Sequence, residues 1–139
     1  MDYHSSLERV RAANFKPRPD LARDYYILYS HAMRSPDAQI HIRKDVFHIV
    51  SELQCLKKSM KSGYYSAYHD LVVMYMQGAK HFGISQDFDT AERMLNTMDD
   101  NKDMLISNET QDDISRSIEG IRNVLNYLRK DANKNMCLD

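Results

Sequence analysis

The chain has 139 residues, the size of one domain, and can bury roughly two-thirds of the surface its unfolded form exposes, so its core needs no disulfide or metal staple. A formal net charge of −1 supplies no global field for nucleic acid or for an acidic membrane surface. Four Gly and three Pro leave few turns, and this scarcity favours helices.

From the N-terminus, residues 6–14 can make a short helix, and FKPRP then breaks it, because each Pro biases its predecessor away from the α region. This is the expected linker, dividing an N-terminal arm at 1–18 from a single all-α domain at 19–139. Pro19 suits the first position of a helix to about residue 33, with Leu21, Tyr25, Leu28 and Ala32 on one face. Ser35-Pro36 stops it. Asp37 can then cap a long helix to residue 61, whose stripe is Ile42, Val46, Ile49, Leu53, Leu56 and Met60. Gly63 ends that helix, and further helices are expected over 64–82, 88–98 and 110–132. In the last, Ile114, Ile118, Ile121, Leu125 and Leu128 share a face, with Asp112 and Asp113 at the start and Arg129 and Lys130 at the end, as the helix dipole prefers. No segment alternates as a strand does. The expected fold is all-α, a compact bundle or short α-hairpin array of about five helices.

The segment AYHDLVVMYMQGAKHFGISQDFDTAERML is the most distinctive. On a helical wheel Ala67, Leu71, Met74, Tyr75 and Gly78 form one face, with small residues at both ends. Tyr65, Tyr68, Val72, Met76 and Ala79 extend the apolar surface to about 200°, twice what a one-sided surface helix needs. Such a helix buries two faces or exposes one. Gly83 suits a positive-φ turn and Asp87 a helix cap.

The order Ala67-x3-Leu71-x2-Met74-Tyr75-x2-Gly78, then Gly83-Ile84-x2-Asp87-x3-Ala91, resembles the Sel1-like repeat, a relative of the tetratricopeptide repeat. The resemblance covers one unit at about 64–98. It departs from the pattern at Val72, where the family usually has Gly, and in a longer interval between Gly78 and Gly83. It implies two antiparallel helices and an adaptor, chaperone or effector role, often bacterial.

Several side-chain sets suggest chemistry. His41, Asp45, His48 and Glu52 fall at i, i+4, i+7 and i+11 on one helical face and are suitable ligands for zinc or iron, but the face borders an apolar seam and reads better as its hydrated rim. Asp99-x-Asn101-x-Asp103 has the spacing of half an EF-hand loop, yet Met104 and Thr110 stand where Gly and Glu are needed, so an acidic loop is expected. No cofactor is implied. Nucleotide-binding and hydrolase fingerprints are missing from the sequence, and a non-enzymatic protein is expected.

Residues 1–80 hold 12 Lys/Arg against 8 Asp/Glu, and residues 81–139 hold 7 against 12. Arg9, Arg11 and Arg18 in the arm, with Arg43, Lys44, Lys57 and Lys58, form the set a helical DNA-binding or transcription-modulating protein would place on phosphates. The acidic second half opposes a duplex. A third expectation is self-association, the apolar seams of two copies meeting in a homodimer or larger oligomer. The leading expectation is an interaction module that binds a protein or peptide in a helical groove, with Tyr65, Tyr68, Val72 and Met76 as anchors. No signal-like or membrane-spanning apolar run occurs, and Cys55 and Cys137 read as free thiols, so a cytoplasmic location without membrane contact is expected.

Overall fold

A computed structural model describes residues 3–34, 37 and 51–137, with side chains described as far as 133. The protein is all-α. Among the described residues there are six α-helices, α1 (Tyr3–Ala12), α2 (Ala22–Ala32), α3 (Glu52–Lys61), α4 (Tyr65–Gln77), α5 (Phe88–Asp100) and α6 (Gln111–Cys137). The described residues contain no β-strand, though an isolated bridge joins Ala79 and Ile84. No described helix is long and apolar enough to cross a membrane. The chain forms two compact units, residues 1–67 and 68–139, and the boundary falls inside α4. Residues 1–18, read from sequence as an arm, belong to the first unit.

In the first unit α2 packs against both α1 and α3. Its predicted stripe is its core face: Leu21, Tyr25, Leu28 and Ala32 are all buried. Tyr3, Leu7 and Val10 recur at i, i+4 and i+7 and form the buried face of α1. Small residues bring α3 close to α2, for the buried Ser59 donates its hydroxyl to the Ala22 carbonyl at 2.6 Å.

FKPRP is not the bare linker expected. Asn14 and Phe15 have φ of 53° and 58°, a left-handed conformation that costs a non-Gly residue roughly 1 kcal/mol each. Three interactions offset the cost. The Phe15 ring is buried, Lys58 Nζ donates to the Phe15 carbonyl at 2.6 Å, and Tyr25 Oη donates to the Lys16 carbonyl at 2.9 Å. Pro19 then opens a 3₁₀ turn, Pro19–Leu21, that leads into α2.

The long helix read over 37–61 does not run through Ser51. Ser51 is extended and caps α3: its hydroxyl accepts from Gln54 N at 3.2 Å while Gln54 Oε1 accepts from Ser51 N at 2.9 Å. This reciprocal pair satisfies two orphan donors and makes a helix start out of what periodicity alone reads as helix interior. Ile42, Val46 and Ile49 of the expected stripe lie outside the described residues. Within α3 the buried side chains are Glu52, Cys55, Leu56 and Ser59, with Leu53 and Met60 only half-buried.

In the second unit α5 packs against α6. Ala91, Leu95 and Met98 form the buried face of α5, opposite Ile114, Ile118 and Leu125 of α6. Ion pairs set an antiparallel register: Arg129 reaches Asp89 at 2.7 Å and Glu92 at 2.6 Å, while Arg122 reaches Asp99 at 3.6 Å and its Nη1 donates to Asn96 Oδ1 at 2.8 Å. α4 is shorter than the expected helix over 64–82. It ends at Gln77, and Gly78 takes a left-handed φ of 79°. Gly78 therefore serves a turn and not close helix packing. A Cβ there would sit 3.4 Å from Gln86 N, in the returning backbone.

Candidate functional site

Two of the expectations for the turn between α4 and α5 hold. Gly83 has a φ of 69°, and Asp87 is the N-cap of α5, its carboxylate accepting from Thr90 N at 3.0 Å and from Thr90 Oγ1 at 2.6 Å. These two donors hold the Asp87 carboxyl below its ordinary value. Gln86 Nε2 donates to the Met76 carbonyl at 2.9 Å and Asp87 N to the Tyr75 carbonyl at 2.7 Å, so the end of α4 is satisfied by the start of the next helix.

The arc predicted to hold a partner is largely interior. Tyr65 is 4% exposed, Val72 0% and Met76 4%, while Tyr68 is half-buried, its hydroxyl pKa raised by that burial. Val72 has no surface to offer a partner. The apolar arc of about 200° is accounted for by α4 burying two faces, the first of the two outcomes such a width allows.

What α4 leaves open lies beside that arc. Val73, Met76 and Gln77 of α4 and Ser117, Gly120, Ile121 and Val124 of α6 line an open cleft of about 290 Å³. It lies wholly within the second unit and its lining is mostly apolar. Of the predicted anchors, only Met76 reaches it, as part of the floor. At its edge α6 displays Val124, 51% exposed, and one turn on Tyr127, 69% exposed. Gly120 sits between them and Ser117 in the helix interior, and nothing lies within 4 Å of where its Cβ would be. A helix-interior glycine in open space costs about 1 kcal/mol against Ala and contributes no packing within the monomer.

Sequence reading missed Val124, Tyr127 and Gly120 because it followed only the Ile/Leu stripe of α6. The wheel position of Val124, next to that stripe, was the available signal, while Tyr127 lies well away from it on the polar side of the helix.

A second cleft, about 390 Å³, is lined by Gln86, Asp87, Phe88, Asp89, Arg129, Ala132 and Asn133. Its one cation, Arg129, already binds Asp89 and Glu92, so the site has no unsatisfied charge for an anion.

The remaining candidates are dispersed. His41, Asp45 and His48 lie outside the described residues; Glu52 is buried at the first turn of α3, and no group of three metal-ligating side chains occurs among the described residues. Asp99 of the acidic interval pairs with Lys102 at 3.5 Å and with Arg122. Of the basic set, Arg43 and Lys44 lie outside the described residues and Arg11 is exposed on α1. Arg9 pairs with Asp24 at 2.7 Å, Arg18 with Asp20 at 2.6 Å, and Lys58 with the Phe15 carbonyl, while Lys57 is half-buried. Arg9, Arg18 and Lys58 thus serve the fold of the first unit. No family model matches this sequence, and comparison with curated proteins and with solved structures gives no match.

Proposed function

We propose that this chain is a non-enzymatic interaction module that docks an apolar helical segment in the cleft between α4 and α6. The observation that carries this reading is the pairing of that cleft with the exposed Val124 in its lining, one turn before the exposed Tyr127 on the same helix. A rigid aromatic and a β-branched side chain beside an apolar groove supply contact area at low entropic cost, the arrangement used in helix-in-groove recognition. The anchors are therefore Val124 and Tyr127 with Met76 beneath them. The resemblance of residues 64–98 to the Sel1-like and tetratricopeptide group is in keeping with a cytoplasmic adaptor role, and the capped turn between α4 and α5 is compatible with it. The nucleic-acid reading has weaker support, since Arg9, Arg18 and Lys58 are engaged within the first unit.

The test is affinity capture with wild-type chain and with Val124→Asp and Tyr127→Asp, each checked by circular dichroism. Proteins retained by the wild type and lost from both folded variants support the reading. An identical captured set from all three overturns it.

A further inference from the structure

The exposed face of α6 has a pattern that matches itself when reversed. Arg116, Gly120, Asn123, Tyr127 and Asp131 recur at three- and four-residue spacing along one side of the helix, with Val124 and Ser117 flanking them. A two-fold axis perpendicular to the helix between Asn123 and Val124 exchanges position 116 with 131 and 120 with 127. At a rise of about 1.5 Å per residue, the 120/127 level lies about 5 Å from that axis and the 116/131 level about 11 Å from it. Tyr127 of each copy then meets Gly120 of the other, and Arg116 of each meets Asp131 of the other. The glycine is the one residue of this face with no side chain, and the space above it is open. The aromatic ring is the most exposed large apolar group among the described side chains of the helix. Arg116 has a 74% exposed side chain whose Asp113 pairing is a surface interaction, so it can turn to a second carboxylate without losing buried structure.

We propose that the helix docked along α6, over Gly120 at the edge of the α4/α6 cleft, is α6 of a second copy of this chain, crossing antiparallel about that axis; this rests on the reading of the cleft and its α6 edge as a docking site. Bump, gap and charge are complementary at four levels, two of each kind, because an isologous interface uses every match twice. A helix of foreign sequence explains the exposed apolar rim equally well. It leaves unexplained why the gap and the ring lie on one helix at mirror positions, and why the flanking charges are of opposite sign at mirror positions. One helix face per copy is smaller than the standard interface of about 1,600 Å² in total. The association is therefore weak and reversible, with the monomer prevailing when dilute.

The test is sedimentation equilibrium of the full chain from low-micromolar to near-millimolar concentration. The wild type shows a reversible monomer–dimer equilibrium. Arg116→Asp alone and Asp131→Arg alone each weaken it by roughly tenfold, and the double exchange restores it. In a Cys137→Ser background, Asn123→Cys cross-links to itself on mild oxidation while Gln111→Cys does not, as the antiparallel register requires. A strictly monomeric wild type overturns the proposal, as does a double exchange that stays as weak as its parents or cross-linking at position 111. If the chain is monomeric but its capture of another protein still depends on Val124, self-docking fails and the interaction-module reading stands. If neither dimer nor Val124-dependent capture is found, both fail.

Discussion

Arg9 and Asp24 are joined across α1 and α2 by two hydrogen bonds to one atom, Nε at 3.0 Å and Nη2 at 2.7 Å from Asp24 Oδ1. The buried Ser6 hydroxyl donates to the same oxygen at 2.9 Å. Asp24 is 1% exposed, so its charge is tolerable only because these donors surround it. Arg9→Ala removes two of the three and leaves an undercompensated buried carboxylate, which costs about 3 kcal/mol. Ser6→Ala deletes the weaker donor and costs about 1 kcal/mol. The urea midpoints are expected to fall in that order, and equal midpoints would show that the guanidinium contributes no more than the hydroxyl.

Cys55 tests the interior of the first unit by chemistry. Burial pushes its thiol up to about 12, with Lys58 opposing only in part, and the thiolate is the reactive form. In a Cys137→Ser background the folded chain is expected to resist a thiol-specific reagent at pH 8 and to take up one equivalent when unfolded by urea. Prompt labelling without denaturant would place Cys55 at an accessible surface.

Periodicity made the fold class and most core faces legible, because burial imposes it directly: the stripes of α2 and α6 were visible as spacing. The features that escaped share a different cause. Ser51 starts a helix through a side-chain exchange with Gln54 that leaves the apolar spacing unchanged. Gly78 ends α4 where the returning backbone at Gln86 passes, an approach eight positions along the chain that no wheel displays. The candidate site escaped for a third reason. A wheel shows that α4 has too much apolar surface for one face but not which part is covered, and the open cleft is shared with α6, whose contribution no wheel of α4 displays.

Asp87 makes the start of α5 sensitive to acid. Its folded-state carboxyl lies below the unfolded value of about 3.9, chiefly through the Thr90 hydroxyl and then the Thr90 N–H. A depressed carboxyl stabilises fully above its unfolded value, and that contribution is lost as pH falls through the folded one. Carboxyl-carbon NMR titration should therefore show Asp87 protonating later on acidification than an unstructured aspartate. Asp87→Asn keeps a capping oxygen, since Asn ranks with Asp at this position, and should flatten the acid-induced loss of amide protection at Thr90. An ordinary Asp87 titration would mean that the cap bonds are absent in solution.

Gly120 offers a substitution that should separate the monomer from its docking. Because no atom lies within 4 Å of its absent Cβ and its backbone is helical, Gly120→Ala is expected to stabilise the monomer by about 1 kcal/mol through helix propensity alone. Dilute chemical denaturation, where the monomer prevails, measures this. A loss of stability instead would show that the glycine answers a packing need inside the single chain.

Val72 and Val124 are the same residue type on two helices of one unit, and their environments make opposite predictions. Val72 has no exposed surface, and Val124 is half-exposed on the rim of the cleft. A carboxylate at position 72 has to be desolvated without a partner or expelled with its helix, and either route exceeds the few kcal/mol that separate most small domains from unfolding. At position 124 the same carboxylate reaches water by a rotamer change and leaves the core of α6, Ile114, Ile118 and Leu125, untouched. Val72→Asp should therefore abolish the cooperative thermal transition, and Val72→Ala should lower stability by about 2 kcal/mol. Val124→Asp should leave the transition within about 0.5 kcal/mol of wild type, as surface changes generally do, while removing the docking function. If Val72→Asp melts cooperatively and only Val124→Asp unfolds the chain, the buried and open sides of α4 and α6 have been assigned the wrong way round, and the anchors lie on α4 as the sequence first suggested.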